Sequence, residues 1–335
     1  MAVLIYGLFA IIKGKKLKEI SEMSDQYKRE AKTPSCLKLS SLMRKNIIGY
    51  LFVLPGLAVF CVFIIWPIFW GMVLSLHSWD GFNDLIYVGL NNYRLMLTQD
   101  NIFPKVLRNT LLYAVGIVVG NVTIGLMLAL LVNHRLPGST VFRTIYFLPS
   151  IMSFVMVGLL WAWIYNPEFG LVNSFLSAVG LGFLKRSWLA NPVTALPSLV
   201  VIDVWKWSGW HMVIYLAGLQ TISQDILDAA EVDGASGLKR FRFITLPLLK
   251  SYTLMNIILV TVGAFNTFDV VYVTTRGGPY NATQMMLTYV NLVAFKYQKV
   301  GYAAALTYFL FLIVFGISIM NALFFRWRER HNQKG

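Results

Sequence analysis

The sequence predicts an all-α integral membrane protein with about six transmembrane helices. Three observations lead there: an apolar composition, six long apolar runs, and basic residues gathered mostly between those runs. Of the 335 residues, 57% are hydrophobic and only 13% are charged, and the mean hydropathy is +0.63. A soluble domain carries about a quarter charged residues. This much apolar surface exceeds what one water-facing core buries, so lipid is the expected solvent.

The six runs are Ile47–Leu76, Thr110–Asn133, Thr144–Tyr165, Ala195–Leu219, Tyr252–Thr275 and Gly301–Phe325. Each is near or above the roughly 20 residues that a helix needs to cross a bilayer. The first is over-long and holds Pro55 and Pro67, so it is expected to tilt or kink. These runs divide the chain into a basic cytoplasmic tail over 1–46, a six-span transmembrane domain over 47–325 with the loop over 220–251, and a short cytoplasmic tail over 326–335.

Orientation follows from Lys and Arg. The tail before Ile47 holds ten, and alternate segments after it hold two, four and four; the intervening loops hold three, two and three. Cytoplasmic segments carry the excess, which places both termini in the cytoplasm of a multi-pass protein of the cell membrane. The contrast leans on the N-terminal tail. Met1–Ile12 is apolar and precedes Lys13, Lys15, Lys16 and Lys18, the reverse of a secretory signal. It reads as a surface-lying segment or an upstream start.

Several classes are not expected. The net charge of +14 does not point to nucleic acid, because the basic residues sit where topology needs them. Cys36 and Cys61 make no disulfide framework, and four scattered histidines have no metal-ligand spacing. No phosphate-binding Gly-rich loop, nucleophile elbow or zinc-binding helix occurs, so neither a cofactor nor a catalytic constellation is expected.

The loop over 220–251 is the most informative segment. Ser223 is placed to cap a helix and Asp225 to favour its first turn. Ile222, Ile226, Ala229 and Ala230 fall close to one helical face. Gly234 is placed to end that helix in a left-handed conformation, and a second short helix is expected from Gly237 to about Ile244. Pro247 then punctuates the chain. Alanines on an exposed face let another protein approach closely.

Within this loop, Asp228-Ala229-Ala230, the acidic Asp233 before Gly234, and Ile244-x-Leu246-Pro247 resemble the signature loop of binding-protein-dependent ABC importer permeases. That family usually has Glu where Asp228 stands and often Pro where Ser223 stands. Gly89-Leu-Asn-Asn-Tyr-Arg94, Phe142-Arg-Thr-Ile-Tyr-Phe-Leu-Pro149, Trp161-Ala-Trp-Ile-Tyr-Asn-Pro-Glu-Phe-Gly170, Gly277-Gly-Pro279 and Gly301-Tyr-Ala-Ala-Ala305 resemble its carbohydrate branch. The resemblance covers roughly 47–325. It implies the type I importer transmembrane fold and a coupling helix that docks on a cytoplasmic ATPase. It further implies a homologous second permease, two ATPase subunits, an external solute-binding protein and a sugar substrate. Such a chain would form half of a pathway and perform no chemistry. A proton-coupled secondary transporter and a membrane enzyme acting on lipid or polysaccharide are the alternatives.

Candidate pathway residues are Asn121, Asp203, Trp205 and Asp269. Each has a structural reading beside the functional one. Asp203 and Lys206, three apart in one span, are expected to neutralise each other. Trp205, Trp207 and Trp210 serve packing or offer ring faces to a sugar. Asp269 contacts substrate or pairs with Arg276, near a Gly277-Gly278-Pro279 turn expected to be flexible. Asn121 and Thr123 bind a solute or join helices.

Overall fold

The computed structural model describes residues 50–133 and 138–332, with side chains described as far as 320. The expectations for Met1–Ile12, the N-terminal tail and Cys36 lie outside the described residues. Two compact units, Met1–Phe69 and Trp70–Gly335, are distinguished. The first contributes most of helix α1 (Tyr50–Ser75). Pro67 has no amide hydrogen for the carbonyl of Phe63, and the turn Cys61–Ile65 opens into a π-turn in which the Trp66 amide bonds Cys61.

The second unit begins its loops with a two-residue ladder, β1 (His77–Ser78) against β2 (Ile86–Tyr87), antiparallel with His77 opposite Tyr87. Helices then follow as α2 (Asn91–Thr98), α3 (Phe103–Asn133), α4 (Ser139–Ile151), α5 (Phe154–Ile164), α6 (Leu171–Ala178) and α7 (Ala195–Gln220). After them come α8 (Gln224–Val232), α9 (Gly237–Leu248), α10 (Lys250–Phe265), α11 (Asp269–Thr274), α12 (Met286–Asn291) and α13 (Val300–Asn332).

Among the described residues, Tyr50–Ser75, Phe103–Asn133 and Val300–Met320 are each long and apolar enough to span a membrane. Two expected spans are corrected by the structure. Thr144–Tyr165 is not one straight helix: α4 and α5 meet at 102°. Pro149 removes an amide donor near the end of α4, and Met152 and Ser153 are extended. Tyr252–Thr275 is likewise interrupted. It ends at Phe265 and resumes as α11, and its helix α10 joins α9 at 66° just after Pro247. The fourth span is a continuous 26-residue helix, α7, about 39 Å long at 1.5 Å per residue. Asp203, Lys206 and His211 within it are all buried.

α7 is the centre of the unit. Gly116, Gly120 and Gly125 of α3 face Val200, Val204 and His211 of α7, where added side chains would collide. Small residues let two helices approach in this way. One apolar core gathers Tyr113, Ile117, Leu199, Ile202, Met286 and Leu306. A second gathers Ala129, Met212, Tyr215, Leu216 and Leu249. The polar stretch of α7 lies between the two.

The loops at the first core's end are tightly tied. Asn92 Nδ2 donates to the carbonyls of Ser75 and His77 at 2.8 and 2.9 Å. Asp100 accepts the hydroxyls of Tyr289 and Tyr302, both at 2.6 Å, and the amides of Ile102 and Phe103. Burial alone would push its carboxyl up, but those four donors outweigh burial and hold it below the ordinary aspartate value. The turn at Gly277-Gly278-Pro279 is also not free. Thr283 donates to Gly278 at 2.6 Å, and Asn109 Nδ2 donates to Asn281 and Gln284.

Candidate functional site

Two places gather the residues singled out in the sequence. The first is a cavity of about 390 Å³ beside α7, lined in part by Asn121, Asp203, Trp207, Trp210, His211 and Asp269. Asn121 comes from α3, Phe154 from the start of α5, and Asn266, Thr267 and Phe268 from the break between α10 and α11. That break is why a polar backbone segment reaches the cavity at all.

The lining combines ring faces with hydrogen-bonding groups. Phe154 and Trp207 lie 6.3 Å apart between centroids, and Trp207 and Trp210 6.5 Å apart at 88°. Tyr113 Oη donates to Asp203 Oδ2 at 2.9 Å. His211 Nδ1 is 2.7 Å from Asn256 Oδ1. Asn121 Oδ1 is buried without a hydrogen-bond partner. Buried polar atoms are nearly always paired, so an unpaired one on a cavity wall is an acceptor ready for a ligand or a water. Asn266 and Asp269 are exposed at the margin.

Three of the four candidate pathway residues, Asn121, Asp203 and Asp269, therefore line one cavity. Trp205 does not. It packs edge-on against Trp161 at 5.6 Å and lines a separate apolar groove with Leu160 and Val201. Asp203 and Lys206 form no direct ion pair either. The Lys206 ammonium donates instead to the carbonyls of Pro149, Ser150 and Met152. Among the described residues the ion pair within 4.0 Å is Arg240–Glu231, at 3.9 Å, so Asp269 is not paired with Arg276. Thr123 is exposed and away from the cavity.

The second place is the segment from α8 to α9. Gly234 has φ +77°, Ala235 donates back to the Ala230 carbonyl at 2.8 Å, and Gly234 donates to Glu231 at 3.0 Å. This is a glycine-closed helix end of the Schellman type. Ser223 stands at the start of α8 but its hydroxyl makes no capping bond. Asp228 instead accepts from Gln224 Nε2 at 2.9 Å. Ala229 is exposed, whereas Ala230 is buried, so only one of the two alanines is open to a partner. Asp233, Gly234, Leu246 and Pro247 are exposed and Ile244 half-buried. Val232, Leu238 and Phe243 stand 88%, 79% and 70% exposed beside them. These are exposed apolar side chains within a segment rich in charge.

Residues 121–329 match the family described as binding-protein-dependent transport system inner membrane component. The lactose transport system permease protein LacF of Rhizobium radiobacter is 36% identical, over 87% of this chain and 98% of its own length. The trehalose/maltose transport system permease protein MalF of Thermococcus litoralis is 36% identical, over 85% of this chain and 96% of its own. The probable ABC transporter permease protein YurN of Bacillus subtilis is also 36% identical, over 84% and 97%. Among solved structures, a chain of a bacterial alginate ABC transporter in complex with an alginate pentasaccharide-bound periplasmic protein superposes with a TM-score of 0.74. The alignment covers 85% of this chain and 96% of that one, at 21% identity.

Proposed function

The chain belongs to the inner membrane component family of binding-protein-dependent transport systems, and from that premise we propose that it carries a sugar or oligosaccharide through the cavity beside α7. It is an ABC permease subunit embedded in the membrane, a transport component and not an enzyme. The single observation that carries the sugar reading is the cavity lining. Ring faces such as Trp207 suit the C–H faces of a pyranose, while Asp203, Asn121 and Asp269 offer acceptors and donors to hydroxyls. The volume of about 390 Å³ falls in the range of small-ligand sites. The open margin at Asn266 and Asp269 fits a chain that supplies half of a pathway and leaves the rest to a second, homologous permease.

An external solute-binding protein delivers the sugar in this reading, and two cytoplasmic ATPase subunits supply the work. The segment from Asp228 to Pro247 is the coupling element, with Val232, Leu238 and Phe243 as the surface an ATPase covers. Reconstitution tests the whole scheme. The purified chain alone in liposomes is expected neither to hydrolyse ATP nor to take up sugar. Adding the second permease, ATPases and loaded binding protein is expected to give ATP-dependent uptake. Uptake by the chain alone would refute the multi-subunit reading.

The orientation has its own test. With both termini cytoplasmic, Arg240 faces the cytoplasm and Arg186 the outside. In sealed cells an impermeant thiol reagent is expected to label Arg186→Cys and to spare Arg240→Cys. The opposite pattern reverses the topology.

A further inference from the structure

Lys206 is 2% exposed on the central helix, and its ammonium must be compensated where water is scarce. Its partners are not carboxylates. Nζ lies 3.3 Å from the carbonyl oxygen of Pro149, 3.0 Å from that of Ser150 and 2.5 Å from that of Met152. An ammonium has three donors, so all of its donor capacity goes to these oxygens. They belong to the last residues of α4 and the bend beyond it, where a helix presents the negative end of its dipole; the Pro149 carbonyl also accepts the Met152 amide at 3.2 Å. The other side of the bend is capped separately: Ser153 Oγ accepts the Val155 amide at 3.2 Å.

The same ammonium lies 4.8 Å from the ring centroid of Phe154 and 4.9 Å from that of Trp207. A cation over a ring face is attracted to it, more so away from water. Both rings line the cavity, one from each side of the contact between α5 and α7. One buried charge therefore contacts a 102° bend and two walls of the site.

We propose that Lys206 is a positioning residue for the cavity: seated on the carbonyls of Pro149, Ser150 and Met152, it fixes the bend between α4 and α5 and thereby sets Phe154 and Trp207 as an aromatic wall. The sugar readout rests on the function proposed above; the bend itself does not. Lys206→Met keeps the length of the side chain, takes the ammonium from three carbonyls, of which Pro149 keeps the Met152 amide, and removes the charge from both rings.

The test uses the full complex at matched membrane abundance, with Cys36 and Cys61 replaced by serine. Spin labels at Leu148→Cys on α4 and Leu159→Cys on α5, both exposed positions, report the bend by pulsed electron resonance. Lys206→Met is expected to broaden or shift the distance distribution. Sugar uptake is expected to fall about tenfold, the scale set by leaving buried acceptors unmet. Hydrolysis of ATP stimulated by loaded binding protein should stay within about twofold of wild type, because the segment from Asp228 to Pro247 is untouched. Sugar moved per ATP therefore drops, whereas a general folding defect lowers both together. Lys206→Arg, which keeps charge and donors, is expected to restore part of the ratio. An unchanged distance distribution and an unchanged ratio in Lys206→Met overturn the proposal. If Lys206→Met does not reach the membrane, Lys206→Gln carries the same comparison, and absence of both makes Lys206 a folding residue and overturns it. A wild-type complex that moves no sugar refutes the functional reading instead, and the label distances then decide the bend alone.

Discussion

Gly234→Val is expected to cut sugar uptake at least about tenfold and to abolish most of the ATP hydrolysis that loaded binding protein stimulates. Gly234 sits at φ +77°, and a Cβ there would meet nothing within 4 Å. Sterics with neighbours therefore play no part. The cost is the left-handed conformation itself, about 1–2 kcal/mol for an ordinary residue and more for a β-branched one. The six-residue closure from Ala235 to Ala230 depends on that conformation, so valine unwinds the end of α8. Since 1.4 kcal/mol is about a factor of ten in an equilibrium, an exposed helix end that must bear on another subunit loses its competent form. Asparagine tolerates left-handed φ, so Gly234→Asn should retain much of the uptake. Asp228→Lys is expected to match the valine variant by another route. It reverses an exposed charge and removes the Gln224 contact without straining the backbone. Lys185→Ala, in a loop assigned to the opposite side, should do far less. Uptake and stimulated hydrolysis in proteoliposomes at equal permease content decide this. If both variants transport at the wild-type rate, the segment is not the coupling element.

Much of this arrangement was legible in the sequence because lipid imposes length. Apolar runs must approach 20 residues, so three of the six are unbroken helices of the requisite apolarity and a fourth, Thr144–Tyr165, is a bent pair; the bent pair at the fifth run joins Lys250–Phe265 to Gly237–Leu248 instead. The signal for α8 was equally local, since Gly234 closes that helix where expected, whereas α9 runs past the expected end near Ile244 and through Pro247 to Leu248. The two bends were less legible. Pro149 and Pro247 mark them, but proline is tolerated inside membrane helices, and the ammonium seated on the bend after α4 comes from a lysine 57 residues further on. Helical phase explains the contrast among the tryptophans. At about 100° per residue, Trp207 and Trp210 return to within about 40° of Asp203, whereas Trp205 lies about 160° away. That phase alone sets Trp205 apart from the face of α7 that lines the cavity. Asp203 and Lys206 illustrate the opposite limit. Their spacing favours a pair along one helix, but Tyr113 and the carbonyls of the bend compete better, and both competitors are distant in sequence.

Gly209→Leu is expected to remove most of the protein from the membrane, and Gly209→Ala to lower its thermal unfolding midpoint clearly while still inserting. Gly209 lies on the turn of α7 just beyond Lys206. A Cβ built there falls on the carbonyl oxygen of Tyr146, 2.6 Å from its carbonyl carbon and 2.9 Å from Phe147 Cα. All three are backbone atoms of α4, so no rotamer change relieves the contact and the helices must part. Forcing extra atoms into such a joint costs about 1–3 kcal/mol or more. Parting them also draws Lys206 away from the carbonyls it caps, so the damage at one methyl group spreads to the bend. Gly316→Ala is the matched control. It lies on the apolar span of α13 with nothing within 4 Å of its Cβ, and alanine favours helix over glycine by up to about 1 kcal/mol. Melting curves of the detergent-solubilised chain, read beside membrane yield, separate the two. A Gly209→Ala midpoint equal to that of Gly316→Ala would mean that α4 and α7 do not touch through their backbones. The bend would then need another support than the one Lys206 supplies.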